Sequence, residues 1–268
     1  MKKLIALALA LVLALALCAC GGAPAATAAP ETDKLVVGFD ADFPPFGFVA
    51  DDGSYDGFDL ALAKEVCTRL GWEFDCVAID WKAKDAELSS GNINCIWNGF
   101  TYNGRENDYT WSEPYVDNSI VVVVKADSGI TSLADLAGKT LMVQAASSAL
   151  DALNSEECAD LLASLAGVVE LSDYNKGFME LEQGTVDAIA ADMGVANFQI
   201  ANKGEGYVIL DEDISTEQYA VGFLLGNTEL RDAVNTTLKE IAEDGTMLEI
   251  ARNYVDYGLV IESLCMVG

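Results

Sequence analysis

The chain of 268 residues carries 43 acidic and 15 basic side chains, which gives a formal net charge of −28, and it contains no histidine. So strong a negative charge repels phosphate backbones and anionic membrane surfaces, which excludes nucleic acid as a partner. The absence of histidine excludes Ser-His-Asp and Cys-His catalytic groups, histidine-ligated haem and the common zinc sites, and we expect neither a metal nor a cofactor.

The first residues have the pattern of an export signal. Lys2 and Lys3 precede an apolar stretch over residues 4–17, which is too short to remain as a membrane-spanning helix. We therefore predict that residues 1–19 form a signal peptide that is removed and takes no part in the fold.

Residues 17–21, Leu-Cys-Ala-Cys-Gly, resemble the lipobox of bacterial lipoproteins, in which a small residue precedes the cysteine that receives lipid. Cys20 fits that pattern better than Cys18, which a larger leucine precedes. Residues 20–33 lack a periodic apolar pattern, so we predict a lipidated, flexible tether there. The mature protein would then be anchored to the cell membrane by lipid, on its extracytoplasmic face.

Predicted strands and helices alternate beyond the tether, which is typical of an α/β protein with a parallel or mixed sheet. The first predicted elements are strands at 34–40, 72–79 and 93–98 and helices at 59–70 and 85–90. Further strands are predicted at 120–125, 140–144, 168–171, 187–190, 208–210 and 218–225, with helices at 176–182, 194–202, 229–243 and 246–254. This length is long for one hydrophobic core, but it fits two compact lobes of roughly 100 to 150 residues each.

The sequence NGFTYNGR over residues 98–105 follows the third predicted strand. It places Gly99 just beyond the carboxyl end of that strand, where open α/β sheets bind ligands. Arg105 is a cation in a strongly acidic chain, and a guanidinium can hold a small carboxylate through two parallel hydrogen bonds. With the Thr101 hydroxyl nearby, the segment predicts a pocket for a small acid or zwitterion. The alternative is that Arg105 is an ordinary surface residue.

Five segments resemble, in the same order, blocks of the family 3 extracellular solute-binding proteins, which serve ABC importers of polar amino acids. These segments are GFDADFPPFGF at 38–48, YDGFDLALA at 55–63, GFTYNGR with YTWSEPY at 99–105 and 109–115, SLADLAGK at 132–139, and GTVDAIAAD at 184–192. Asn103 stands where the family has a second threonine. The resemblance covers nearly all of the chain after residue 34.

The resemblance implies the α/β type II periplasmic-binding-protein fold, which has two lobes and a two-strand hinge. Residues 34–118 and 217–268 would form a discontinuous first lobe, and residues 119–216 would form a second lobe inserted between them. The chain would cross between the lobes near 115–119 and 215–219. A ligand in the cleft would then favour closure of the hinge.

The resemblance also assigns roles around the carboxylate of a bound amino acid. Arg105, Thr101 and Ser148 would hold the α-carboxylate, and Ser147 would join Ser148 at the amino terminus of a helix, where free N–H groups favour an anion. Both serines could equally be ordinary helix N-caps. Relatives have a glycine-rich turn just before them, whereas this chain has two alanines.

Asp192 would pair with the α-ammonium of the ligand, assisted by the backbone carbonyl of Asn98 or Gly99. A carboxylate at this point could instead cap the helix that follows.

Four further residues are placed by the resemblance around the ligand side chain. Phe43 and Trp81 would form aromatic walls, although lone aromatic residues are more often part of a core. Asp40 would meet the ligand side chain, because relatives with an acid there bind cationic or amide side chains. Gln144 stands where some relatives have lysine, which argues against glutamate or aspartate as the ligand.

We therefore predict a lipid-anchored, monomeric receptor that captures a polar L-amino acid, delivers it to the permease of an ABC importer and performs no chemistry on it. The main alternative is an enzyme of the same fold, a cyclohexadienyl dehydratase acting on prephenate or arogenate. A sensor input module is a third possibility. Arginine, lysine, histidine, glutamine and cystine all remain open as ligands.

Five cysteines follow Cys20, at positions 67, 76, 95, 158 and 265. Some relatives have a disulfide that Cys67 and Cys76 loosely match, but the spacing differs. We expect buried thiols at these positions.

Overall fold

The computed structural model describes residues 33–204 and 206–267. The predicted signal peptide at 1–19, the predicted lipidation site Cys20 and the predicted tether up to residue 32 lie outside these residues. Within the described ranges, no helix combines the length and the hydrophobicity that crossing a bilayer requires.

Fourteen strands and eight α-helices are found in the described residues. The strands are β1 (Lys34–Phe39), β2 (Asp42–Phe43), β3 (Gly47–Val49), β4 (Tyr55–Asp56), β5 (Glu73–Ala78), β6 (Cys95–Ile96), β7 (Thr110–Trp111), β8 (Val116–Lys125), β9 (Thr140–Gln144), β10 (Gly167–Leu171), β11 (Ala188–Asp192), β12 (Tyr207–Ile209), β13 (Ser215–Tyr219) and β14 (Gly222–Phe223). The helices are α1 (Phe58–Leu70), α2 (Lys84–Ser90), α3 (Ser148–Leu153), α4 (Ala159–Ser164), α5 (Tyr174–Gln183), α6 (Met193–Lys203), α7 (Thr228–Glu243) and α8 (Thr246–Arg252). Short 3₁₀ helices lie at Trp81–Ala83, Leu133–Leu136, Val255–Tyr257 and Ile261–Ser263.

The first sheet has the strand order β5-β1-β6-β14-β7. Strand β1 is parallel to both β5 and β6, so the carboxyl ends of β1 and β6 lie side by side. Asp40 follows β1 and Asn98 follows β6, and the Asn98 Oδ1 accepts a hydrogen bond from the Asp40 N–H at 2.5 Å. This edge of the sheet therefore brings together two residues that the sequence predicts as ligand contacts.

Helix α1 covers one face of the first sheet with a row of fully buried side chains, Phe58, Leu62 and Val66. Their spacing of four residues puts them on the same side of the helix. The helix ends at Gly71, whose φ of 70° is the left-handed conformation that glycine adopts without a steric penalty. Helix α7 packs against α1 on the same side.

The second sheet has the strand order β10-β9-β11-β8-β12, and β13 also pairs with β8. Strand β8 is antiparallel to β11, β12 and β13. Val121 and Val123 of β8 belong to one buried cluster, and Val122 and Val124 belong to another. Both faces of this strand are therefore covered, which explains its uninterrupted run of valines.

Two neighbouring segments connect the sheets. The chain passes from the first sheet to the second over residues 112–115 and returns over residues 220–221. The Tyr115 N–H donates to the Tyr219 carbonyl at 2.9 Å, and the Ser112 N–H donates to the Val221 carbonyl at 3.0 Å. The two connections are thus hydrogen-bonded to each other at the place where the site lies.

The structure confirms the α/β class and most predicted elements, and it corrects several. The strand predicted at 218–225 is wrong, because Tyr219 pairs with β8 whereas Gly222 pairs with β6, which splits the segment into β13 and β14. Strand β8 begins at Val116, four residues before the predicted start. The small antiparallel sheet of β2, β3 and β4 was not predicted, since strands of two or three residues carry too little alternation to be recognised.

The cysteines of the described residues are free thiols, including Cys67 and Cys76. Cys67, Cys95 and Cys158 are buried as expected, and Cys76 is half-buried. The expectation of burial is wrong for Cys265, which is exposed near the carboxyl terminus.

Candidate functional site

All of the predicted ligand-contacting residues line one narrow cavity between the two sheets. They are Asp40, Phe43, Trp81, Asn98, Gly99, Thr101, Arg105, Gln144, Ser147, Ser148 and Asp192. The cavity measures about 10 Å³, which is about the space that one water molecule needs. The cavity has two walls, one formed by residues of the first sheet and its loops and the other by residues of the second sheet and its loops. An amino acid can enter only if these two walls separate. That these side chains contact a ligand stays a prediction.

The turn at Gly99 is held by a carboxylate that the sequence did not identify as functional. Gly99 has a φ of +55°, and a Cβ there would lie 2.9 Å from the Phe43 ring and 3.1 Å from the Tyr219 ring. The Gly99 N–H donates to Oδ2 of Asp59 at 2.6 Å. Asp59 is fully buried at the start of α1, and burial raises the pKa of its carboxyl to about 7. Asp59 lies in the segment 55–63 that carries the family resemblance, and this was the sequence signal that could have identified it as a functional residue.

Arg105 lies at the rim of the cavity and pairs with an acid from the opposite wall. Its Nη2 lies 2.6 Å from Oδ2 of Asp151 on α3, and its Nη1 donates to the Thr101 carbonyl at 3.4 Å. The guanidinium also lies over the Phe100 ring, 5.5 Å from the centroid. Only 13% of the Arg105 side chain is exposed, so it is not the ordinary surface residue of the alternative interpretation.

The three hydroxyls predicted to hold a carboxylate have different partners. Ser147 caps α3, because its Oγ accepts from the Leu150 N–H at 3.3 Å, and it donates to the Gln144 carbonyl at 2.7 Å. The N-cap alternative therefore holds for Ser147. Thr101 and Ser148 instead donate to Oε1 of Glu217, at 3.0 and 3.2 Å.

Asp192 ends β11 and is almost completely buried. It accepts hydrogen bonds from the Tyr219 hydroxyl at 2.5 Å, the Tyr174 hydroxyl at 3.3 Å and the Asn118 amide at 3.0 Å. Its side chain makes no capping hydrogen bond to α6, so the capping alternative is wrong. Burial raises the pKa of Asp192, and hydrogen bonds from the two tyrosines and Asn118 partly oppose that rise.

Glu217 was missed by the sequence reasoning, although it is buried beside the cavity. The same Asn118 amide nitrogen that donates to Asp192 also donates to Oε1 of Glu217, at 3.0 Å in both cases. Burial, followed by the charge of Asp192, raises the pKa of Glu217 to about 7. Glu217 and Tyr219 are the buried residues of the alternating pattern along β13, and that pattern could have indicated the role of Glu217. The strand was predicted at the wrong residues, so the pattern was not recognised.

Asp40 and Gln144 meet across the cavity. The Gln144 amide donates to Oδ2 of Asp40 at 2.5 Å and to the Ser172 carbonyl at 3.1 Å. The Asp42 N–H donates to the other Asp40 oxygen at 2.9 Å. Burial raises the pKa of Asp40 to about 6, and these two donors lower it by less.

Phe43 and Trp81 line the cavity and also belong to hydrophobic clusters, so both are core residues and their contact with a ligand stays a prediction. Lys84 is a second cation that the sequence did not predict. It is buried, its Nζ lies 5.2 Å from the centre of the Trp81 ring, and it donates to the Ala146 carbonyl at 3.3 Å. Ala146 has a φ of +58°, a left-handed conformation at the position where relatives have a glycine-rich turn.

The cavity thus has a cationic rim at Arg105 and buried carboxyls at Asp40 and Asp192, and Glu217 is buried beside it. In residues 33–204 and 206–267, no group of three or more cysteine and acidic side chains is arranged to hold a metal ion. A cation at the rim and buried carboxyls within are complementary to the carboxylate and the ammonium of a zwitterion.

The chain is similar to known proteins. Residues 35–257 match the family model for bacterial extracellular solute-binding proteins, family 3. The chain is 28% identical over 227 residues to the L-cystine-binding protein TcyJ of Escherichia coli strain K12, covering 84% of this chain and 83% of that protein. It is 29% identical over 228 residues to the arginine-binding extracellular protein ArtP of Bacillus subtilis, covering 82% and 86%.

A solved structure is also similar. It is an ABC uptake transporter substrate-binding protein from Streptococcus pneumoniae with bound histidine. The TM-score is 0.80 and the sequence identity is 31%, over 85% of this chain and 94% of that one.

Proposed function

This chain belongs to family 3 of the bacterial extracellular solute-binding proteins, and we propose that it captures a polar L-amino acid outside the cell and delivers it to an ABC importer. Its fold is the α/β type II periplasmic-binding-protein fold. The relatives named above bind amino acids, and one is the substrate-binding protein of an ABC uptake transporter. The family consists of solute-binding proteins, which gives the dehydratase alternative no support at that level.

The single observation that carries the proposal is the placement of opposite charges around one small cavity. Arg105 lies on one side of it, and Asp192 ends β11 on the other. A zwitterion fits between them if its carboxylate takes the place of Asp151 on Arg105 and its ammonium joins the oxygens of Asp192. Phe43 and Trp81 would then cover the ligand's apolar atoms.

We also propose that the two sheets form lobes that close around the ligand. The predicted bounds of the lobes are 34–118 with 217–268 and 119–216, whereas the sheets divide at the connections, because β8 begins at Val116 and β13 ends at Tyr219. The paired connections at 112–115 and 220–221 support a hinge there, because few residues have to change conformation for the walls to separate. Contacts of one ligand with both walls would stabilise the closed state.

Membrane attachment is the third part of the proposal. The lipobox-like sequence before Cys20 supports cleavage after residue 19, lipid on Cys20 and a monomer on the extracytoplasmic face of the membrane. Mass spectrometry of the protein from membranes would show diacylglycerol on Cys20, and Cys20→Ala would release the protein into the medium. Retention of the Cys20→Ala variant on membranes after residues 1–19 have been cleaved would contradict the anchor.

Amino-acid binding is tested by thermal unfolding of the purified protein with each L-amino acid and with L-cystine. A ligand present at 100 times its Kd stabilises the folded state by about 2.7 kcal/mol. For a chain of this size that raises the Tm by roughly 5 to 10 °C. The matching D-amino acids and decarboxylated amines are the controls, and we expect no shift from them. The proposal is wrong if no L-amino acid raises the Tm.

A further inference from the structure

Glu217 occupies a position between the two walls that the proposed function does not explain. One of its oxygens, Oε1, accepts hydrogen bonds from three groups. They are the Thr101 hydroxyl at 3.0 Å, the Ser148 hydroxyl at 3.2 Å and the Asn118 amide at 3.0 Å. Thr101 follows β6 of the first sheet, whereas Ser148 begins α3 beside the second sheet. Glu217 therefore joins the two hydroxyls that are proposed to hold the ligand carboxylate.

A hydroxyl has only one hydrogen to donate. While Thr101 and Ser148 donate to Glu217, they can present only lone pairs to the cavity. Lone pairs repel a carboxylate. In the arrangement observed, the two hydroxyls cannot act as donors to an amino acid's carboxylate, so at least one of them has to turn away from Glu217 when one binds.

Protonation of Glu217 favours that reorientation. An ionised carboxylate carries negative charge and about four lone-pair sites on its two oxygens, whereas a protonated carboxyl becomes a donor at one oxygen and keeps the two lone pairs of a neutral carbonyl at the other. Once a proton from solvent adds to the other oxygen, Oε1 can keep the Asn118 amide and at most one hydroxyl. At least one hydroxyl hydrogen is then free to turn toward the ligand.

We propose that Glu217 is a positioning residue for the ligand carboxylate, and that it takes up a proton when an amino acid binds, which releases the hydroxyls of Thr101 and Ser148 to the ligand. The proposal rests on the proposed function. No bond of the ligand is broken, and the proton comes from solvent and returns to it on release.

Repulsion between the ligand carboxylate and an ionised Glu217 also favours proton uptake by Glu217. A ligand carboxylate that shares a hydroxyl with Glu217 would lie close to a second buried negative charge, which costs free energy unless one of the two is protonated. Burial has already raised the pKa of Glu217 to about 7, so the proton is available near neutral pH.

The other titratable groups that face Glu217 are Asp192, Tyr174 and Tyr219. Arg105, paired with Asp151, donates to the Thr101 carbonyl, whereas Glu217 accepts from the Thr101 hydroxyl. A ligand ammonium at Asp192 favours the ionised form of Glu217 and so opposes proton uptake. Asp192 is joined to Glu217 only through the Asn118 amide, whereas the ligand carboxylate would share hydroxyls with Glu217 directly. The effect of the carboxylate is therefore the larger one.

Isothermal titration calorimetry in buffers with different heats of ionisation measures the proton directly. We would titrate L-histidine, L-arginine, L-glutamine and L-cystine into the purified protein at about pH 7, in phosphate and in Tris. A group with a pKa of about 7 is half ionised there, so uptake of about half a proton per bound amino acid is expected. At higher pH the affinity would fall, by up to about tenfold for each pH unit.

Glu217→Gln supplies the matched variant, because it keeps the size and one acceptor oxygen of Glu217 but cannot titrate. We expect it to bind with no proton uptake and with an affinity that no longer depends on pH in this range. Glu249→Gln, at an exposed position on α8, is the control and should keep the wild-type uptake.

The outcomes separate this inference from the proposed function. Amino-acid binding with no proton uptake, or with proton release, in the wild-type protein would overturn the role of Glu217 and leave the proposed function intact. A pH dependence that persists in Glu217→Gln would overturn it as well. If none of the four amino acids binds and none raises the Tm, the proposed function fails and this inference fails with it. The wild-type measurement needs no variant, so the proposal can be tested even if Glu217→Gln does not fold.

Discussion

The two walls of the cavity differ in where their polar groups find partners. On the wall from the first sheet, Asn98 accepts from the Asp40 N–H and Asp59 accepts from the Gly99 N–H. Both contacts join residues of the same wall. They therefore hold whether or not the opposite wall is near.

On the wall from the second sheet, several polar groups reach across the cavity instead. Gln144 donates to Asp40, and Asp151 accepts from Arg105. Lys84 extends from the first wall to the Ala146 carbonyl of the second. These contacts have to break or rearrange before an amino acid can enter. We propose that the first wall is shaped before the ligand arrives, whereas the second wall completes its contacts with the first when the walls close.

The largest expected effect comes from Arg105, the cation that the first wall contributes at the rim of the cavity. Arg105→Ala removes the guanidinium that would pair with the ligand carboxylate. Losing one partner of such a charge pair costs about 2 to 5 kcal/mol of binding, which weakens the affinity at least about 30-fold. Calorimetric titration with the amino acid that gives the largest thermal shift would measure it.

Arg252→Ala is the control for that variant, because Arg252 is exposed at the end of α8, away from the cavity. It should bind like the wild-type protein. Unchanged affinity in Arg105→Ala would rule out the carboxylate assignment and, with it, the first wall as the place where the ligand head is held.

Asp59 tests whether the first wall is held from within. Asp59→Ala leaves the buried Gly99 N–H without a partner, whereas Asp59→Asn keeps an acceptor oxygen in nearly the same place. We expect the alanine variant to be less stable than the asparagine variant by about 1 to 3 kcal/mol in the free energy of unfolding. Urea unfolding of both variants would measure the difference, and equal stability would show that the contact with Gly99 contributes little.

Asp59 also makes the free energy of unfolding depend on pH, and the sign of that dependence is known. The folded-state pKa of Asp59 is about 7, above the ordinary value near 4 for an aspartate in an unfolded chain. The folded state therefore favours the protonated carboxyl, and the contribution of Asp59 to stability is lost as the pH rises from about 4 through about 7. Asp59→Asn cannot titrate, so its stability relative to the wild-type protein should rise over that range. A constant difference would mean that Asp59 is ionised throughout.

The sequence could predict the first wall better than the second, for a physical reason. Asp40, Asn98 and Gly99 follow the carboxyl ends of parallel neighbouring strands, and strand position can be read from local apolar patterns. Arg105 follows in the same loop. Local sequence was therefore enough to place Gly99 and Arg105 at one edge of a sheet, whereas the family resemblance added Asp40 and Asn98 as ligand contacts.

Glu217, Lys84 and Asp151 were not predicted because their roles depend on contacts between distant parts of the chain. Glu217 meets Thr101 over 116 residues, and Lys84 meets Ala146 over 62. An acid or a lysine in a short element looks like a solvated surface residue until its partners are known. The family resemblance placed the ligand contacts, but it carried no information on what pairs with them.

The smallest expected effect concerns the contact across the cavity between Asp151 and Arg105. The Asp151 side chain is 66% exposed, and an ion pair with so exposed a partner contributes about 0 to 1 kcal/mol. Asp151→Asn removes the carboxylate that competes with the ligand for Arg105, so the affinity for the amino acid should rise by up to about fivefold. Calorimetric titration would measure it, with Asp160→Asn, exposed on α4, as the control. If the affinity falls instead, the ion pair between Asp151 and Arg105 holds the walls together in the liganded state. The second wall would then keep its contacts with the first wall when the amino acid binds.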